Sequence, residues 1–162
     1  MPLTIVKKAN PPQSEEINNK IAVITILGIQ GQKENIKTEG CARYYFAGES
    51  PDKSQEFFNT LPLLADKFGA ENIVPIYTTD AREFNEAVMA HYVNFQINFN
   101  DSYKITDEKN FEALFEIFER VIDDLIKIGV GKIVFDVTHG FRHLPLLALV
   151  DLLIQNFSNV SQ

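Results

Sequence analysis

The stretch Ile21-Ala22-Val23-Ile24-Thr25-Ile26-Leu27, which runs directly into Gly28, gives the most direct indication of the fold. Its residues are almost all apolar, most are β-branched, and apolar and polar residues do not alternate. A short run with these properties predicts a strand that is buried on both faces of a parallel sheet. The following stretch, 28–40, is polar and rich in glycine, so we expect a long loop at the carboxyl end of that strand.

The rest of the chain alternates between strand and helix patterns. Further strands are predicted at 42–47, 73–77, 93–99 and 132–137, and helices near 57–69, 81–91, 108–128 and 144–157. Pro62 lies inside the first helical pattern, so that helix either begins near Thr60 or is kinked. Thr79 or Asp80 is expected to cap the second helix. The alternation predicts an α/β fold with a Rossmann-like, mostly parallel sheet flanked by helices.

Composition limits the kind of protein this is. The chain has 162 residues, of which 45% are hydrophobic, so we expect one globular domain. A net charge of −7 argues against binding to duplex nucleic acid, and the single cysteine excludes an internal disulfide. We expect a soluble cytoplasmic protein, because no apolar run is long enough for a membrane span and no secretory signal is evident.

The N-terminal residues differ in character from the rest. Residues 1–20 are predicted to form a flexible arm, because the segment Asn10–Glu16 has the composition of a linker and no apolar period. Leu3–Val6 forming a short edge strand is the alternative. Residues 21–162 are expected to form the domain itself.

Three loops are expected at the carboxyl ends of the predicted strands, where open α/β sheets bind ligands. They are Gly28-Ile29-Gln30-Gly31, Thr78-Thr79-Asp80, and Asp136-Val137-Thr138-His139-Gly140-Phe141-Arg142. The third combines a strand-ending carboxylate with hydroxyl, imidazole and guanidinium groups, and a buried helix is predicted after it. This combination suits an anion or nucleotide pocket. The candidate ligand-binding residues are therefore Gly28, Ile29, Gln30, Gly31, Thr78, Thr79, Asp136, Thr138, His139, Gly140, Phe141 and Arg142.

Purely structural roles are the alternative for each loop. Asp136 and Thr138 would then only cap the next helix, and His139 would bond a backbone carbonyl. The loop at 28–31 would be a plain turn, because it lacks the full dinucleotide fingerprint. Thr78 and Thr79 would serve as helix caps. No metal or cofactor is predicted, since Gly140 interrupts the His139–His143 spacing and no third ligand is evident.

The string Asp136-Val137-Thr138-His139-Gly140-Phe141-Arg142-His143-Leu144-Pro145-Leu146-Leu147 resembles the signature of the CRISPR-associated Asp-x-Thr-His-Gly family. The resemblance extends, more loosely, over about residues 20–160. It includes Leu27-Gly28 at the end of the first strand, Arg43-Tyr44-Tyr45-Phe46, Phe57-Phe58, Thr78, and the aromatic-rich helix before the signature.

The resemblance implies a CARF (CRISPR-associated Rossmann fold) domain, a sensor of cyclic oligoadenylates in type III CRISPR antiviral defence. It implies a homodimer that holds the cyclic RNA, with cyclic tetra-adenylate as the preferred ring, between its 28–31 and 138–142 loops. Tyr44, Tyr45 and Phe141 are candidates to contact adenine. Relatives often carry a C-terminal ribonuclease with an Arg-x4-6-His motif. No such spacing occurs here, so we expect either a sensor domain truncated at its C-terminus or a stand-alone sensor with a separate effector.

Two other functions remain open from the sequence. One is a metal-independent ring nuclease that cleaves the same ligand, with Thr138, His139 and Arg142 as candidate catalytic residues. The other is an unrelated Rossmann-type nucleotide-binding module. The ring size and the identity of the effector are not encoded in any motif of the sequence.

Overall fold

The computed structural model describes residues 3–6, 20–29, 42–44, 48–50, 55–92, 94–106, 111–136 and 138. The strands are β1 (Leu3–Val6), β2 (Ile21–Ile26), β3 (Ala42–Tyr44), β4 (Gln55–Phe57), β5 (Ile73–Ile76) and β6 (Lys132–Asp136). The helices are α1 (Thr60–Phe68), α2 (Thr79–Met89) and α3 (Phe111–Lys127). The predicted helix 144–157 lies outside the described residues, as do 45–47 of the second predicted strand and residue 137 of the last.

The central sheet has the strand order β1-β6-β2-β5. β2 runs parallel to both of its neighbours, and Val23 pairs with Ile73 on one side and with Val134 on the other. Three parallel strands flanked by helices confirm the predicted Rossmann-like α/β fold. The run that begins at Ile21 is its central buried strand.

β1 forms the edge of this sheet and pairs antiparallel with β6, with Leu3 opposite Phe135. The edge strand that the sequence offered as an alternative for Leu3–Val6 is therefore present. The flexibility of the remaining arm, and the domain boundary at residue 20, stay predictions.

The two faces of the sheet are covered by different helices. Side chains alternate along a strand, so Ala22, Ile24 and Ile26 of β2 point to one face and Val23 and Leu27 to the other. The first set packs against α3, in a cluster that includes Leu114, Phe118, Val121 and Phe135. The second set packs against α1 and α2, in a cluster that includes Leu61, Leu64, Ala81 and Met89.

The start of α1 agrees with one of the two alternatives, and the start of α2 differs from the prediction. α1 begins at Thr60, and Pro62 falls in its first turn, where a missing N–H costs little. α2 is capped by Thr78 and not by Thr79 or Asp80. Thr78 has extended backbone angles and its hydroxyl accepts a hydrogen bond from Ala81 N at 3.2 Å, so the helix begins at Thr79, two residues before the predicted Ala81.

The predicted strand at 93–99 is wrong in its described part, because residues 95–100 have no strand pairing. The alternation that suggested it is nevertheless real. Phe95, Ile97 and Phe99 are half-buried against the α1/α2 face, and the residues between them are exposed. Alternating apolar residues show that one side of an extended segment is buried. Here that side packs against a hydrophobic cluster and does not pair in a sheet. Residues 103–105 pair with the chain at Tyr77, just after β5, where the Tyr77 carbonyl accepts from Ile105 N at 2.7 Å.

A second, two-stranded sheet pairs β3 with β4 antiparallel. Its second strand lies where the sequence indicated the start of a helix. Phe57 and Phe58 anchor this end of the hairpin, since their rings lie 6.0 Å from those of Tyr92 and Phe84 respectively. Among the described residues, no helix is both long enough and apolar enough to cross a bilayer.

Candidate functional site

The carboxyl ends of β2, β5 and β6 lie at one edge of the sheet, because the three strands are parallel. β2 stands in the middle, so Gly28 and Ile29 lie between the segments that follow β5 and β6. The chain passes from β2 to β5 on one side and later returns to β6 on the other. Such a reversal opens a crevice next to β2, and open α/β sheets bind their ligands in a crevice of this kind.

A buried hydrogen bond joins β6 to β2 at this crevice. Thr25 and Asp136 are register partners in the parallel ladder, so their side chains share a face of the sheet. The Thr25 hydroxyl donates to Asp136 Oδ2 at 2.8 Å. Both residues are almost inaccessible, with exposures of 2% and 5%. A buried carboxylate is costly unless its oxygens accept hydrogen bonds, and this bond accounts for one of the two.

The other carboxylate oxygen shapes the segment after β6. Asp136 Oδ1 accepts from Thr138 N at 3.1 Å and from Thr138 Oγ1 at 2.6 Å. An aspartate that accepts from the N–H two residues later forms an Asx turn, which fixes the direction of the chain. Asp136 therefore ties the start of the signature loop to β2, whereas Thr138 itself is exposed.

The tip of β2 presents an apolar side chain to solvent. Ile29 is 56% exposed, which is unusual for a large aliphatic residue next to a buried strand. The preceding Gly28 is bonded to helix α2, because its carbonyl accepts from Asn85 Nδ2 at 3.1 Å. Leu27 N donates to Ile76 O at 2.9 Å, which keeps this tip aligned with β5.

Of the two threonines after β5, Thr78 has the capping role that was the structural alternative for both. The Thr78 hydroxyl caps α2, whereas Thr79 is the exposed first residue of the helix. The amino end of α2 carries partial positive charge, although Asp80 in the first turn offsets part of it.

Arg82, one turn into α2, is already committed to carboxylates. Its Nε lies 2.8 Å from Glu86 Oε1 and its Nη1 lies 3.3 Å from Asp101 Oδ1. Its guanidinium also stacks over the Phe99 ring at 5.1 Å. Burial raises the pKa of Tyr77, whose hydroxyl donates to the same Asp101 oxygen at 3.3 Å. This cluster fastens the segment before Ile105 to α2, and its arginine is not free for an anionic ligand.

Comparison with known families bears directly on this edge. The family model described as "CRISPR system endoribonuclease Csx1, CARF domain" matches residues 67–160, more than half of the chain. The chain belongs to this CARF-domain family. A search of curated proteins and a search of solved structures gave no match. Membership suggests binding of cyclic oligoadenylate, in a CRISPR-associated setting.

The CARF match covers two of the three loops. Thr78 and the signature that begins at Asp136 lie inside it, whereas Gly28 and Ile29 precede its first residue. Sheet topology alone therefore connects the β2 tip to the same edge. Six of the candidate residues, Gln30, Gly31, His139, Gly140, Phe141 and Arg142, lie outside the described residues. The ligand-binding role of all twelve candidates stays a prediction. Within the described ranges, no three His, Cys, Asp or Glu side chains are grouped to hold a metal.

We call the edge of the sheet where β2, β5 and β6 end the CARF edge. Two residues that support it, Thr25 and Asn85, were not among the candidates named from the sequence. Each carried a signal. Thr25 is the one polar residue in an aliphatic strand, and Asn85 falls on the buried side of α2, together with Ala81, Phe84, Val88 and Met89. A polar side chain on a buried apolar surface requires partners, and both of these residues have them.

Proposed function

We propose that this CARF domain binds one cyclic oligoadenylate, preferentially cyclic tetra-adenylate, across a homodimer, and that binding regulates an effector in type III CRISPR antiviral defence. The supporting observation is that the family signature begins at the sheet crevice, where the Asp136–Thr25 bond anchors it to β2. The effector is either a further domain or a separate protein. The family match leaves no reason to retain an unrelated nucleotide-binding module.

The chemistry of the edge suits such a ligand. Exposed Ile29 offers an apolar surface to an adenine base. Thr138, also exposed, follows the neighbouring strand β6, and its hydroxyl donates to Asp136 Oδ1. Arg142 supplies the planar cation for a phosphate. A small number of such groups holds an anion without the basic surface that duplex nucleic acid requires.

The symmetry of the ligand supports a dimer. A cyclic tetranucleotide has a two-fold axis, and an isologous dimer presents the same surface twice. One ring can then satisfy two identical edges.

Isothermal titration calorimetry on the purified chain tests this proposal. Cyclic tri-, tetra-, penta- and hexa-adenylate are titrated, with linear tetra-adenylate as the matched control, and sedimentation gives the mass of the complex. We expect saturation at one ring per two chains and tightest binding for the tetra-adenylate. Absence of heat with every ring contradicts the proposal, and saturation at one ring per chain contradicts the shared site.

The same samples decide between sensing and cleavage. Cyclic tetra-adenylate is incubated with the protein in EDTA and the products are separated by chromatography. Recovery of the intact ring supports a sensor. Linear products formed by the wild-type chain, and lost in the Arg142→Ala variant, would instead establish the metal-independent ring nuclease.

A further inference from the structure

A buried amide network connects the tip of β2 to the two helices on its side. Asn85 Nδ2 donates to Gly28 O at 3.1 Å and to Ala81 O at 2.8 Å. Asn85 Oδ1 accepts from Asn59 Nδ2 at 2.9 Å, and Asn59 Oδ1 accepts from Leu61 N at 3.0 Å. The two asparagines are 1% and 3% exposed. Direct hydrogen bonds therefore join the tip of β2 to helix α2 and to the N-cap of helix α1.

The direction of every bond in this network is fixed by the backbone. Gly28 O and Ala81 O can only accept, so the group that faces them must be the amide nitrogen of Asn85. Leu61 N can only donate, so it must face the oxygen of Asn59. The remaining groups, Asn85 Oδ1 and Asn59 Nδ2, are then complementary. Flipping either amide would place like groups against one another, so the network has a single arrangement.

This arrangement relates two of the loops at the CARF edge. Asn85 lies about two turns after Thr78 on α2, and a helix keeps such a separation rigid. Its bond to the Gly28 carbonyl therefore sets the distance between the tip of β2 and the amino end of α2. Neither Thr25 nor Asp136 contributes to this spacing, because their bond connects β2 to β6.

We propose that Asn85 is a positioning residue, which sets where Ile29 stands relative to the Thr78 end of α2 and thereby sets the affinity for the cyclic ligand. The inference rests on the proposed function. Asn85 is too deeply buried to touch the ligand, so it acts through the Gly28 carbonyl alone. An apolar side chain at this position would not hold the Gly28 carbonyl, so Gly28 and Ile29, which lie beyond the Leu27 N–Ile76 O bond, could shift.

Two variants separate this role from a contribution to the core. Asn85→Leu keeps the branched shape with the same number of heavy atoms, is somewhat larger, and removes the amide. Asn85→Ser replaces the amide by a hydroxyl. This hydroxyl can still donate to the Ala81 carbonyl one turn earlier, but it is too short to reach the Gly28 carbonyl. Val88→Ala is the control, because Val88 is buried on the same helix but packs with Phe58 and Phe84, away from Gly28.

Binding of cyclic tetra-adenylate is measured by calorimetry at a temperature where thermal melts show all variants to be folded. We expect both Asn85 variants to lose at least tenfold in affinity compared with Val88→Ala, even where their melting temperatures match. Equal affinities at matched stability would overturn the inference, since Asn85 would then serve the core alone.

A second measurement needs no ligand. The ¹H–¹⁵N resonances of Gly28 and Ile29 report the environment of the β2 tip in the free protein. We expect them to shift in Asn85→Ser and to stay in place in Val88→Ala. If the wild-type chain binds no cyclic adenylate, the proposed function fails while these resonances still test the positioning role. Unshifted resonances in Asn85→Ser would refute it, whatever the ligand.

Discussion

The two faces of the CARF sheet differ in what they bury. The α3 face is apolar, with the hydroxyl of Tyr103 at its rim. The α1/α2 face and its carboxyl edge hold the buried polar side chains of the described residues, namely Thr25, Asn59, Thr60, Asn85 and Asp136. Apolar burial is non-directional and stabilises many arrangements, whereas hydrogen-bonded networks specify one. Apolar burial on both faces therefore contributes to stability, and the buried hydrogen bonds that can fix the geometry of the candidate site lie on the α1/α2 side of the described residues.

The largest expected effect tests the apolar face. Phe118 is 1% exposed and stacks on Phe135 of β6, with ring centroids 6.5 Å apart. We expect Phe118→Ala to lower the free energy of unfolding by about 3–5 kcal/mol, because it removes a buried ring and leaves a cavity. Denaturant unfolding measures the loss. Cyclic tetra-adenylate affinity, measured at a temperature where the variant is folded, should equal that of the wild type.

Phe118→Leu is the control for that variant, with an expected loss of about 1 kcal/mol from the partial change of volume. A fall in affinity that tracks the size of the cavity across the two variants would show that the α3 face also shapes the site.

The next effect tests the polar face at β6. Asp136→Ala leaves three donors without their acceptor, the Thr25 hydroxyl, Thr138 N and the Thr138 hydroxyl. We expect a loss of about 2–3 kcal/mol in unfolding free energy, mainly from the buried Thr25 hydroxyl because Thr138 is exposed, and at least a tenfold loss of cyclic tetra-adenylate affinity. Thr25→Val breaks only the bond between β6 and β2 and should lose less of both. Wild-type affinity in folded Asp136→Ala would mean that this carboxylate does not hold the loop.

The next effect concerns binding alone and distinguishes two arginines. Arg142→Ala should weaken cyclic tetra-adenylate binding by about 1.5–3 kcal/mol, the value of a hydrogen bond from a charged group. Arg82→Ala is the matched control, because Arg82 is paired with Glu86 and Asp101, and its affinity should stay at the wild-type value. Calorimetry of both variants gives the difference. Equal losses would place Arg82 in the site and remove the distinction.

Local patterns predicted most of the fold and only part of the site. Periodicity identified β2, β5, β6 and α3, because burial on one or both faces leaves a direct mark on the sequence. β4 was missed because Phe57 and Phe58 fit a helical spacing, and their packing against Tyr92 and Phe84 overrides it.

The pairings at the site could not be derived in the same way. The Thr25–Asp136 bond connects residues 111 positions apart and depends on the register of two parallel strands. The contact between Asn85 and Gly28 depends on how α2 packs against the sheet. Neither register nor packing is written in a short segment, so the sequence marked these residues as unusual without naming their partners.

The smallest expected effect concerns the polar bond at the rim of the α3 face. Tyr103 donates to Asp124 Oδ2 at 3.0 Å, and burial, followed by this carboxylate, raises the pKa of Tyr103 from 10.0 to about 12. Since the folded state holds the proton more tightly, the stabilisation is complete below pH 10 and is lost as the pH rises through 12. We expect this loss to be about 1 kcal/mol, because solvent screens a hydroxyl at the rim.

Denaturant unfolding of the wild type and of Tyr103→Phe between pH 9 and pH 12.5 measures the difference. Tyr77, whose pKa is also raised, titrates in both proteins, so it cancels in the comparison. The stability advantage of the wild type should therefore shrink as the pH rises through this window. A constant advantage would mean that folding does not raise the pKa of Tyr103, and that the proton on its hydroxyl is held no more tightly in the folded state than in the unfolded chain.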